Sequence, residues 1–442
     1  MYALVDCDNF FCSCERVFRP DLNGRAIVVL SNNDGCVVAR SAEAKALGIR
    51  MGLPFFQMQQ DFAGHDIVAF SSNYALYGDM SARVMAVLRQ AAPAMLQYSI
   101  DECFLDLRDM PGTTDQLKVW GEQLAARVRQ WTGIPVSIGI AATKTLAKVA
   151  SRYAKRYPGY RKCCIIATEQ QREKALQLFD VGDVWGVGRR MAKSLADAGV
   201  KTAYDLTQKP QEWVRAKYHI TGERTWSELR GQPSISLDDM NTTTRQSIMT
   251  SRSFPDMLTE YDDLRAHVAN YAARCAAKLR RQHTVCAQVT VFIASNHFRE
   301  DLLQYDAAAS AAFATATSDT IQIVDKATQI LHTIFRQNIR YKRAGVMVTD
   351  ITPDSAVQPD LFEYDPKRAG KLNELSAAMD RINTRLGADT VILGAQQYKE
   401  VDAQGRHVKF TGAIRRALLS PYAPDRPFTV NTDRRNAKGA KK

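Results

Sequence analysis

The sequence predicts a multidomain α+β protein that begins with a ferredoxin-like sheet carrying an insertion after its first strand. The chain has 442 residues, more than one ordinary domain holds, so two to four domains are expected. The elements of residues 1–162 follow the order βα…αβαβα, which is the order of a ferredoxin-like sheet with such an insertion. Two short helical patterns then enclose Gly186 and Gly188, which indicates a separate helical domain.

The elements of the first domain each have a local signal. Residues 18–71 have the pattern of a small α/β insertion, with the strand GRAIVVLS, the turn NNDGC and the helix SAEAKALGI, which Gly48 ends. After the insertion, helices and strands continue in the segments NYALYGDMSARVMAVLRQAA, YSIDECFLDL, GEQLAARVRQWTG, PVSIGIAA and TKTLAKVASRYAKRY. The last of these helices is basic, with Lys144, Lys148, Arg152 and Lys155 along it.

Composition restricts the class of protein. No apolar run approaches the roughly 20 residues of a membrane span, and the N-terminus reaches Asp6 too soon for a signal peptide, so a cytoplasmic protein without a membrane partner is expected. The nine cysteines form no C-x-x-C pair, which favours reduced core thiols over a disulfide framework or a zinc site. The formal charge of +12 indicates a polyanionic partner.

Two acid-bearing strands are the strongest chemical signal. Strand alternation in MYALVDCDNFF puts Leu4, Asp6 and Asp8 on one face. The adjacent Asp101 and Glu102 of YSIDECFLDL can serve one site only at a strand end or a bend, because neighbouring residues of a flat strand point to opposite faces. Clustered carboxylates without His or Cys suit Mg²⁺, and paired Mg²⁺ ions serve phosphoryl transfer. The alternative is that these acids cap strand ends or pair with lysines and arginines.

The segment DVGDVWGVGRRMAKSLADAGV matches a helix-hairpin-helix. In this motif, backbone N–H groups and a helix N-terminus hold a DNA phosphate without reading sequence. Gly186 and Gly188 would form the turn. A plain turn between two helices is the alternative interpretation.

Six segments in this order resemble the Y-family translesion DNA polymerases: ALVDCDNFF, VVARSAEAKALGI, SSNYALYGDMS, YSIDECFLDL, IGIAATKTLAKVAS and VWGVGRR. RQSIMTSRSF and RRALLSPYAPD look most like the UmuC-type members, which include the catalytic subunit of bacterial DNA polymerase V and plasmid-borne relatives. The resemblance implies a right-hand polymerase with a ferredoxin-like palm. Its implied parts are the palm (1–17 and 72–162), fingers (18–71), helix-hairpin-helix thumb (163–232), linker (233–242), α/β little finger (243–350) and a UmuC-type C-terminal tail (351–442) with a disordered basic end.

The resemblance also implies roles for individual residues. Asp6, Asp101 and Glu102, with the backbone carbonyl of Cys7, would hold two Mg²⁺ ions, or Mn²⁺ as a substitute, and Asp8 would stand behind them. Phe11 matches the steric gate that excludes a ribose 2′-hydroxyl, and Phe10 beside it is expected in the core. The remaining residues implied to contact nucleotide or DNA are Lys45 and Lys155 (triphosphate), Cys36 and Gly52 (above the templating base), and Gly186, Gly188, Arg189, Arg280 and Arg281 (DNA phosphates). Ala42 stands where more distant members have a phosphate-binding Tyr.

The implied activity is error-prone synthesis on damaged DNA in the SOS response, with primer-template DNA and a deoxynucleoside triphosphate as substrates. QPDLF, with Gln358, Leu361 and Phe362, looks like a sliding-clamp-binding peptide. A UmuD′ dimer and a RecA filament are further implied partners, at the bacterial nucleoid. Two other functions are compatible with parts of this pattern. A nucleotide cyclase uses acids on a similar palm, but its Gly-Gly-Asp/Glu signature is absent, and a non-catalytic DNA-binding regulatory subunit would leave the acids idle.

Overall fold

The computed structural model describes residues 1–236, 245–360, 365–387, 389–397 and 417–422. The chain divides into two units. Unit 1 comprises Met1–Asn241 with Arg416–Lys442, and unit 2 comprises Thr242–Arg415. The predicted tail, residues 351–442, is therefore divided between the two units.

Both units contain strands and α-helices. The strands are β1 (Tyr2–Cys7), β2 (Ala26–Leu30), β3 (Val37–Arg40), β4 (Ile67–Ser71), β5 (Ala94–Gln97), β6 (Glu102–Asp106), β7 (Val136–Ala141), β8 (Cys163–Ile166), β9 (Ile248–Leu258), β10 (Thr284–Ser295), β11 (Asp306–Thr317) and β12 (Tyr341–Pro353). The α-helices are α1 (Phe10–Phe18), α2 (Ala42–Ala46), α3 (Phe55–Asp61), α4 (Tyr74–Arg89), α5 (Thr114–Thr132), α6 (Lys144–Arg156), α7 (Glu169–Gln177), α8 (Arg189–Asp197), α9 (Ala203–Thr207), α10 (Gln211–Leu229), α11 (Tyr261–Arg281), α12 (Thr320–Ile334) and α13 (Pro366–Leu386).

The main sheet of unit 1 has the order β5-β6-β1-β7-β8. Its first four strands have the ferredoxin-like order, and β8 extends the sheet by pairing parallel to β7. The central strand β1 is buried on both faces. Ala3, Val5 and Cys7 pack in the cluster that contains the apolar residues of α4 and α5, whereas Leu4 packs in the cluster that contains those of α6. The predicted alternation of β1 is thus confirmed, and Asp6 shares the face of Leu4, toward α6.

Helix α6 lies directly against the sheet at Gly139 of β7. A Cβ atom at that position would lie 2.0 Å from the backbone N of Ser151 and 2.1 Å from the backbone O of Ala147. Only glycine permits this approach of helix to strand, because any side chain would collide with backbone. The close packing fixes how far the side chains of α6 reach across β1 and β6.

The predicted insertion folds as a three-stranded sheet of order β3-β2-β4. Strand β2 is antiparallel to β3 and parallel to β4. Ser41 caps α2 by accepting a hydrogen bond from the backbone N–H of Ala44 at 3.3 Å. The strand and helix predicted in this segment are therefore confirmed.

The helical part of unit 1 follows β8 and packs on the cluster below α6. Here the structure differs from the two helical patterns in the sequence, because the first is a single 3₁₀ turn, Val181–Asp183. The Asp180 side chain accepts a hydrogen bond from the Gly182 N–H at 2.7 Å, which favours a tight turn over helix. The second pattern forms α8 as expected.

Unit 2 is an antiparallel sheet of order β11-β10-β12-β9 with α11 and α12 packed on one face. The long helix and the strand predicted in this region correspond to α11 and β10. Helix α13, from the predicted tail, also belongs to this unit, since Asp380 pairs with Arg280 of α11 at 2.7 Å. All nine cysteines of the chain are free thiols and eight are buried, as expected.

Candidate active site

The acids of the two strands meet at one end of the palm-like sheet. Asp6 lies directly opposite Glu102 in the antiparallel pairing of β1 with β6. Asp101 precedes β6 in the tight turn from β5, and its carbonyl accepts a hydrogen bond from the Cys7 N–H at 2.9 Å. The strand-end position expected for Asp101 and Glu102 is confirmed. Like charges directly opposite each other destabilise a sheet, so this pair requires a neighbouring cation.

Two lysines of α6 supply positive charge to these acids. Lys155 Nζ lies 2.9 Å from Asp6 Oδ1, and Lys148 Nζ lies 3.1 Å from Glu102 Oε1. Residues seven apart share one face of a helix, which is why both lysines reach the same sheet edge. Lys155 was predicted to contact triphosphate, whereas Lys148 was noted only as basic. The spacing of seven residues could have indicated its role.

Burial and charge act on this cluster in opposite directions. Burial raises the pKa of Asp6, Lys155 opposes that rise, and the negative charges of Glu102 and Asp8 add to it. Burial alone would lower the pKa of Lys155, but Asp6 and Asp8 outweigh burial and raise it above its ordinary value. The ammonium group is therefore held charged between two carboxylates.

The donor chemistry fits a hard divalent cation, but the side chains do not enclose one as they stand. Within the described ranges, no three His, Cys, Asp or Glu side chains are grouped so that they could hold a metal ion. The reason is local, since Lys155 and Lys148 engage two of the acids and the Ser99 hydroxyl donates to Asp101 Oδ1 at 2.6 Å. These groups pair with the carboxylate oxygens. A bound cation would require the acidic side chains to rotate away from these partners.

Asp8 is held behind this cluster. Its carboxylate accepts a hydrogen bond from Ser137 Oγ at 2.9 Å and pairs with Lys162 at 2.8 Å and Lys155 at 3.5 Å. Asp8 thereby shares Lys155 with Asp6, which agrees with the supporting place expected for it. Sequence reasoning missed Ser137 and Lys162, which carry no motif of their own.

Phe10 and Phe11 have different surroundings. Phe10 is 4% exposed and belongs to the core, whereas Phe11 is only partly buried at the margin of that core. The Phe11 ring stacks on Tyr77 with centroids 4.3 Å apart and meets Tyr74 edge to face at 5.9 Å. The core assignment of Phe10 is confirmed. Tyr74 and Tyr77 were not predicted, although their spacing of three residues on a helix indicates one face.

The second predicted triphosphate residue, Lys45, lies near Lys155. Its Nζ donates to Asn9 Oδ1 at 2.6 Å. Burial lowers the pKa of Lys45, and the charges of Lys155 and Arg40 lower it further. Lys45 therefore experiences the positive charge of both Lys155 and Arg40, which a phosphate group at Lys45 would offset. Ala42 adds no hydroxyl to this group.

Cys36 and Gly52 lie on the short loops of the insertion. Cys36 forms an isolated β-bridge with Pro54, and the Gly52 N–H donates to the Val37 carbonyl at 2.8 Å. Gly52 has φ +80°, and a Cβ there would meet no atom within 4 Å. A side chain at this position would therefore meet open space, and the place of Gly52 above the templating base stays a prediction.

The predicted DNA contacts lie in both units, and each is described within its own unit. Gly186 has φ +95°, and a Cβ there would lie 2.6 Å from Thr225 Oγ1, so glycine is required. Gly188 caps α8 without a side chain, and Arg189 follows as an exposed first helical residue. In unit 2, Arg281 lines a cavity of about 720 Å³ together with Arg252, Arg274 and Lys278. Arg280 is engaged by Asp380 and by Thr320 Oγ1 at 3.0 Å, so its contact with DNA stays a prediction.

Gln358 of the predicted clamp peptide is exposed. Leu361 and Phe362 lie outside the described residues. No helix of the described part of the chain has the length and apolar character to cross a bilayer.

The fold and the site define the palm of a nucleotidyl-transferring enzyme, with an acidic sheet edge beside a cationic group. Comparison with known proteins specifies the family. Residues 5–152 match the impB/mucB/samB family, and residues 245–361 match the C-terminal domain of that family.

Several relatives and solved structures resemble this chain. Protein UmuC of Salmonella typhimurium is 40% identical over 95% of this chain and 97% of its own length. Protein ImpB of Salmonella typhimurium is 42% identical over 87% of this chain and 90% of its own length. A Y-family DNA polymerase chimera of Dbh and Dpo4 superposes with a TM-score of 0.63 at 20% identity, covering 80% of this chain and 99% of the chimera.

The chain belongs to the impB/mucB/samB family, the UmuC-like Y-family DNA polymerases of error-prone translesion repair. The predicted family and right-hand fold are thereby confirmed, and the cyclase and the non-catalytic subunit are set aside. Enzymes of this family depend on divalent metal ions.

Proposed function

We propose that Asp6, Asp101 and Glu102, with the backbone carbonyl of Cys7, bind two Mg²⁺ ions, or Mn²⁺ in their place, to extend a primer opposite damaged template. The observation that carries this proposal is the direct cross-strand pairing of Asp6 with Glu102 beside the half-buried Lys155. When bound, such ions neutralise phosphate charge and lower the pKa of the primer 3′-hydroxyl. Asp6 and Glu102 would release their lysine partners and bind these ions instead.

Lys155, Lys45 and Arg40 are proposed to bind the triphosphate of the incoming nucleotide. Burial lowers the pKa of Lys45, and the charges of Lys155 and Arg40 lower it further, which supports this role because a bound anion would offset both effects. Lys155 would then move from Asp6 to phosphate as the carboxylates take up the cations. The lysine thus keeps the acid cluster stable until the substrate arrives.

Phe11 is proposed as the steric gate for the sugar. Its stack on Tyr77 holds the ring at the margin of the core, where it would clash with a ribose 2′-hydroxyl. Cys36 and Gly52 are proposed to leave room above the templating base. The open space at Gly52 supports this assignment, since a bulky lesion needs volume rather than a tight fit.

DNA is proposed to be held by residues 163–232 as thumb and 243–350 as little finger, with palm, fingers, linker and tail divided as the resemblance implies. Gly186, Gly188 and Arg189 would meet a phosphate at the start of α8, and Arg280 and Arg281 would serve unit 2. Gln358, Leu361 and Phe362 are proposed to bind the sliding clamp. A UmuD′ dimer and RecA filament are the further partners proposed, at the bacterial nucleoid.

Primer extension tests the acid site directly. Replacing Asp101 with Ala should lower Mg²⁺-dependent extension on undamaged and abasic templates by at least about a thousandfold, because catalysis rests on the carboxylates. Primer-template affinity should stay within about threefold of the parent, since phosphate contacts elsewhere supply it. Asp106→Ala, at the other end of β6, is the matched control and should retain extension. Near-parental extension by the Asp101 variant would contradict the proposal.

A further inference from the structure

A six-residue segment of the C-terminal region packs against the rest of unit 1. Residues 417–422, called the C-terminal strap here, begin beside the finger insertion, where the Ala417 N–H donates to Asp34 Oδ2 at 3.0 Å. Leu418 then bonds to Ser71 at the end of β4 through both of its backbone groups, its carbonyl accepting from the Ser71 N–H at 3.1 Å and its N–H donating to Ser71 Oγ at 2.9 Å. The strap is thus fixed to the insertion by main-chain hydrogen bonds.

The other end of the strap holds the palm helices. Asn73 Nδ2 donates to Ser420 Oγ at 3.2 Å and to the Tyr422 carbonyl at 2.7 Å, while its Oδ1 caps α4 by accepting from the Leu76 N–H at 3.2 Å. The Tyr422 ring stacks on Phe18, the last residue of α1, at 4.5 Å, and its hydroxyl donates to the Phe18 carbonyl at 3.0 Å. The strap therefore contacts the start of α4 and the end of α1.

Those two helices carry the rings of the proposed sugar gate. Phe11 lies in the first turn of α1, and Tyr77, on which it stacks, lies in the first turn of α4. The Tyr77 hydroxyl is satisfied by Glu15 Oε1 at 2.7 Å, and Glu15 is fully buried. Burial raises the pKa of Glu15, and Tyr77, through its hydrogen bond, and the nearby Ser420 oppose that rise, whereas Glu15 Oε2 has no hydrogen-bond partner among the described residues.

Two sets of contacts thus link the strap to the helices of the gate: Ser420 and Tyr422 act through Asn73 on the start of α4, and Tyr422 acts through Phe18 on the end of α1. Each link joins side chains that are buried or partly buried, where a lost partner leaves a polar group unsatisfied and its neighbour free to move. A ring that excludes one hydroxyl must be held within a few tenths of an ångström, because a small displacement opens space for an oxygen atom.

We propose that the C-terminal strap positions the steric gate, so that Ser420, Glu15 and Asn73 help to determine the selectivity for deoxyribose. This inference rests on the proposed function of Phe11. The three residues touch no nucleotide and act through Tyr77 and the helix ends. Loss of the strap would loosen sugar selection while leaving the acid cluster of β1 and β6 intact.

The test is single-nucleotide insertion by the full chain with matched deoxy- and ribonucleoside triphosphates. Ser420→Ala and Tyr422→Ala should each lower the ratio of kcat/KM for deoxy- over ribonucleotide by about fivefold to twentyfold, as for other residues that orient a contact group. Insertion of deoxynucleotide should stay within about threefold of the parent. Leu419→Ala, whose side chain is 44% exposed in the same segment, is the matched control and should keep the parental ratio.

A second comparison separates positioning from mere stabilisation. In a Phe11→Ala background, Ser420→Ala should cause no further loss of sugar selectivity, because the gate through which it acts is gone. Glu15→Gln keeps an acceptor for Tyr77 and should retain selectivity better than Glu15→Ala. If Ser420→Ala does not fold, Tyr422→Phe, which removes only the hydroxyl, answers the same question.

The possible failures are distinguishable. A lower melting temperature with an unchanged sugar ratio in both strap variants would overturn the inference and leave the gate in place. An unchanged ratio in Phe11→Ala itself would overturn the gate assignment, and this inference with it. Absence of extension in the parent chain would instead contradict the polymerase site.

Discussion

The two units of this chain bury ionisable groups in opposite ways. In unit 1, the central strand carries Asp6 into the sheet opposite Glu102, and two lysines of α6 compensate. In unit 2, the central strands β10 and β12 bury valines, and the core ionisable group His267 is neutral because burial lowers its pKa to about 4. The first sheet retains charge at a cost in stability, whereas the core beside the second sheet keeps His267 uncharged.

This difference indicates that unit 1 carries the reactive groups, whereas unit 2 has a supporting role. Opposed carboxylates lower the stability of a sheet, and such groups persist where a ligand uses them. An antiparallel sheet covered by two helices on one face needs no ligand to be stable. We therefore expect substitutions in unit 1 to separate activity from stability, and substitutions in unit 2 to change stability or partner binding alone.

The largest expected stability effect tests the boundary between core and site within unit 1. Phe10→Ala should lower the free energy of unfolding by about 3–5 kcal/mol, because a buried ring leaves a cavity. Phe11→Ala should cost less, since its ring is partly exposed, but should markedly raise ribonucleotide incorporation. Denaturant unfolding and single-nucleotide insertion measure the two effects. If both variants discriminate sugars as the parent does, the gate lies elsewhere.

A smaller effect should appear in unit 2 as the pH falls. The pKa of His267 is about 4 in the folded chain and about 6.5 when unfolded, so the unfolded chain binds the proton more readily between these values. Stability contributed by the neutral ring is present above pH 6.5 and lost as the pH falls toward 4. The opening free energy of α11 should drop by about 2 kcal/mol from pH 7 to pH 5.

Hydrogen exchange of α11 amides in the full chain measures this drop. His267→Phe, which keeps a ring beside Phe254, is the control and should show a much flatter pH dependence. An equal slope in parent and variant would show that another group titrates, and the contrast between the two cores would then need revision.

The smallest expected effect concerns the clamp peptide of unit 2. The double variant Leu361→Ala/Phe362→Ala should weaken clamp binding by at least about tenfold, because it removes two apolar anchors. Clamp-free extension should not change, since the acids lie in unit 1. Leu375→Ala/Leu386→Ala, two exposed leucines of α13, serve as the matched control. Equal clamp affinity in all three proteins would rule out the docking role.

The local sequence pattern was sufficient to predict the two strands that carry the acids. The alternation of β1 identified the face of Asp6, and the adjacency of Asp101 and Glu102 required the turn that the structure shows. The lysine partners of these acids depend on how closely α6 approaches β7 at Gly139, a tertiary distance that no sequence period encodes.

Contacts between distant segments were the least predictable. The sequence predicts that Arg280 faces DNA phosphates, yet its side chain is only 16% exposed and pairs with Asp380, one hundred residues later. The segment RRALLSPYAPD was recognised only as a family resemblance. Its hydrogen bonds to Asn73 join residues almost 350 positions apart, and no local rule connects them.

Because the strap belongs to unit 1, synthesis of unit 1 is completed only after all of unit 2 has been synthesised. The first 241 residues leave the ribosome long before the segment that completes their unit, which follows only after Arg416. At about 5 to 20 residues per second, the delay is roughly 10 to 35 s. During that interval, unit 1 lacks the strap. Under the role proposed for the strap, a chain that ended just before residue 417 would keep the acid cluster and both units but select sugars less strictly.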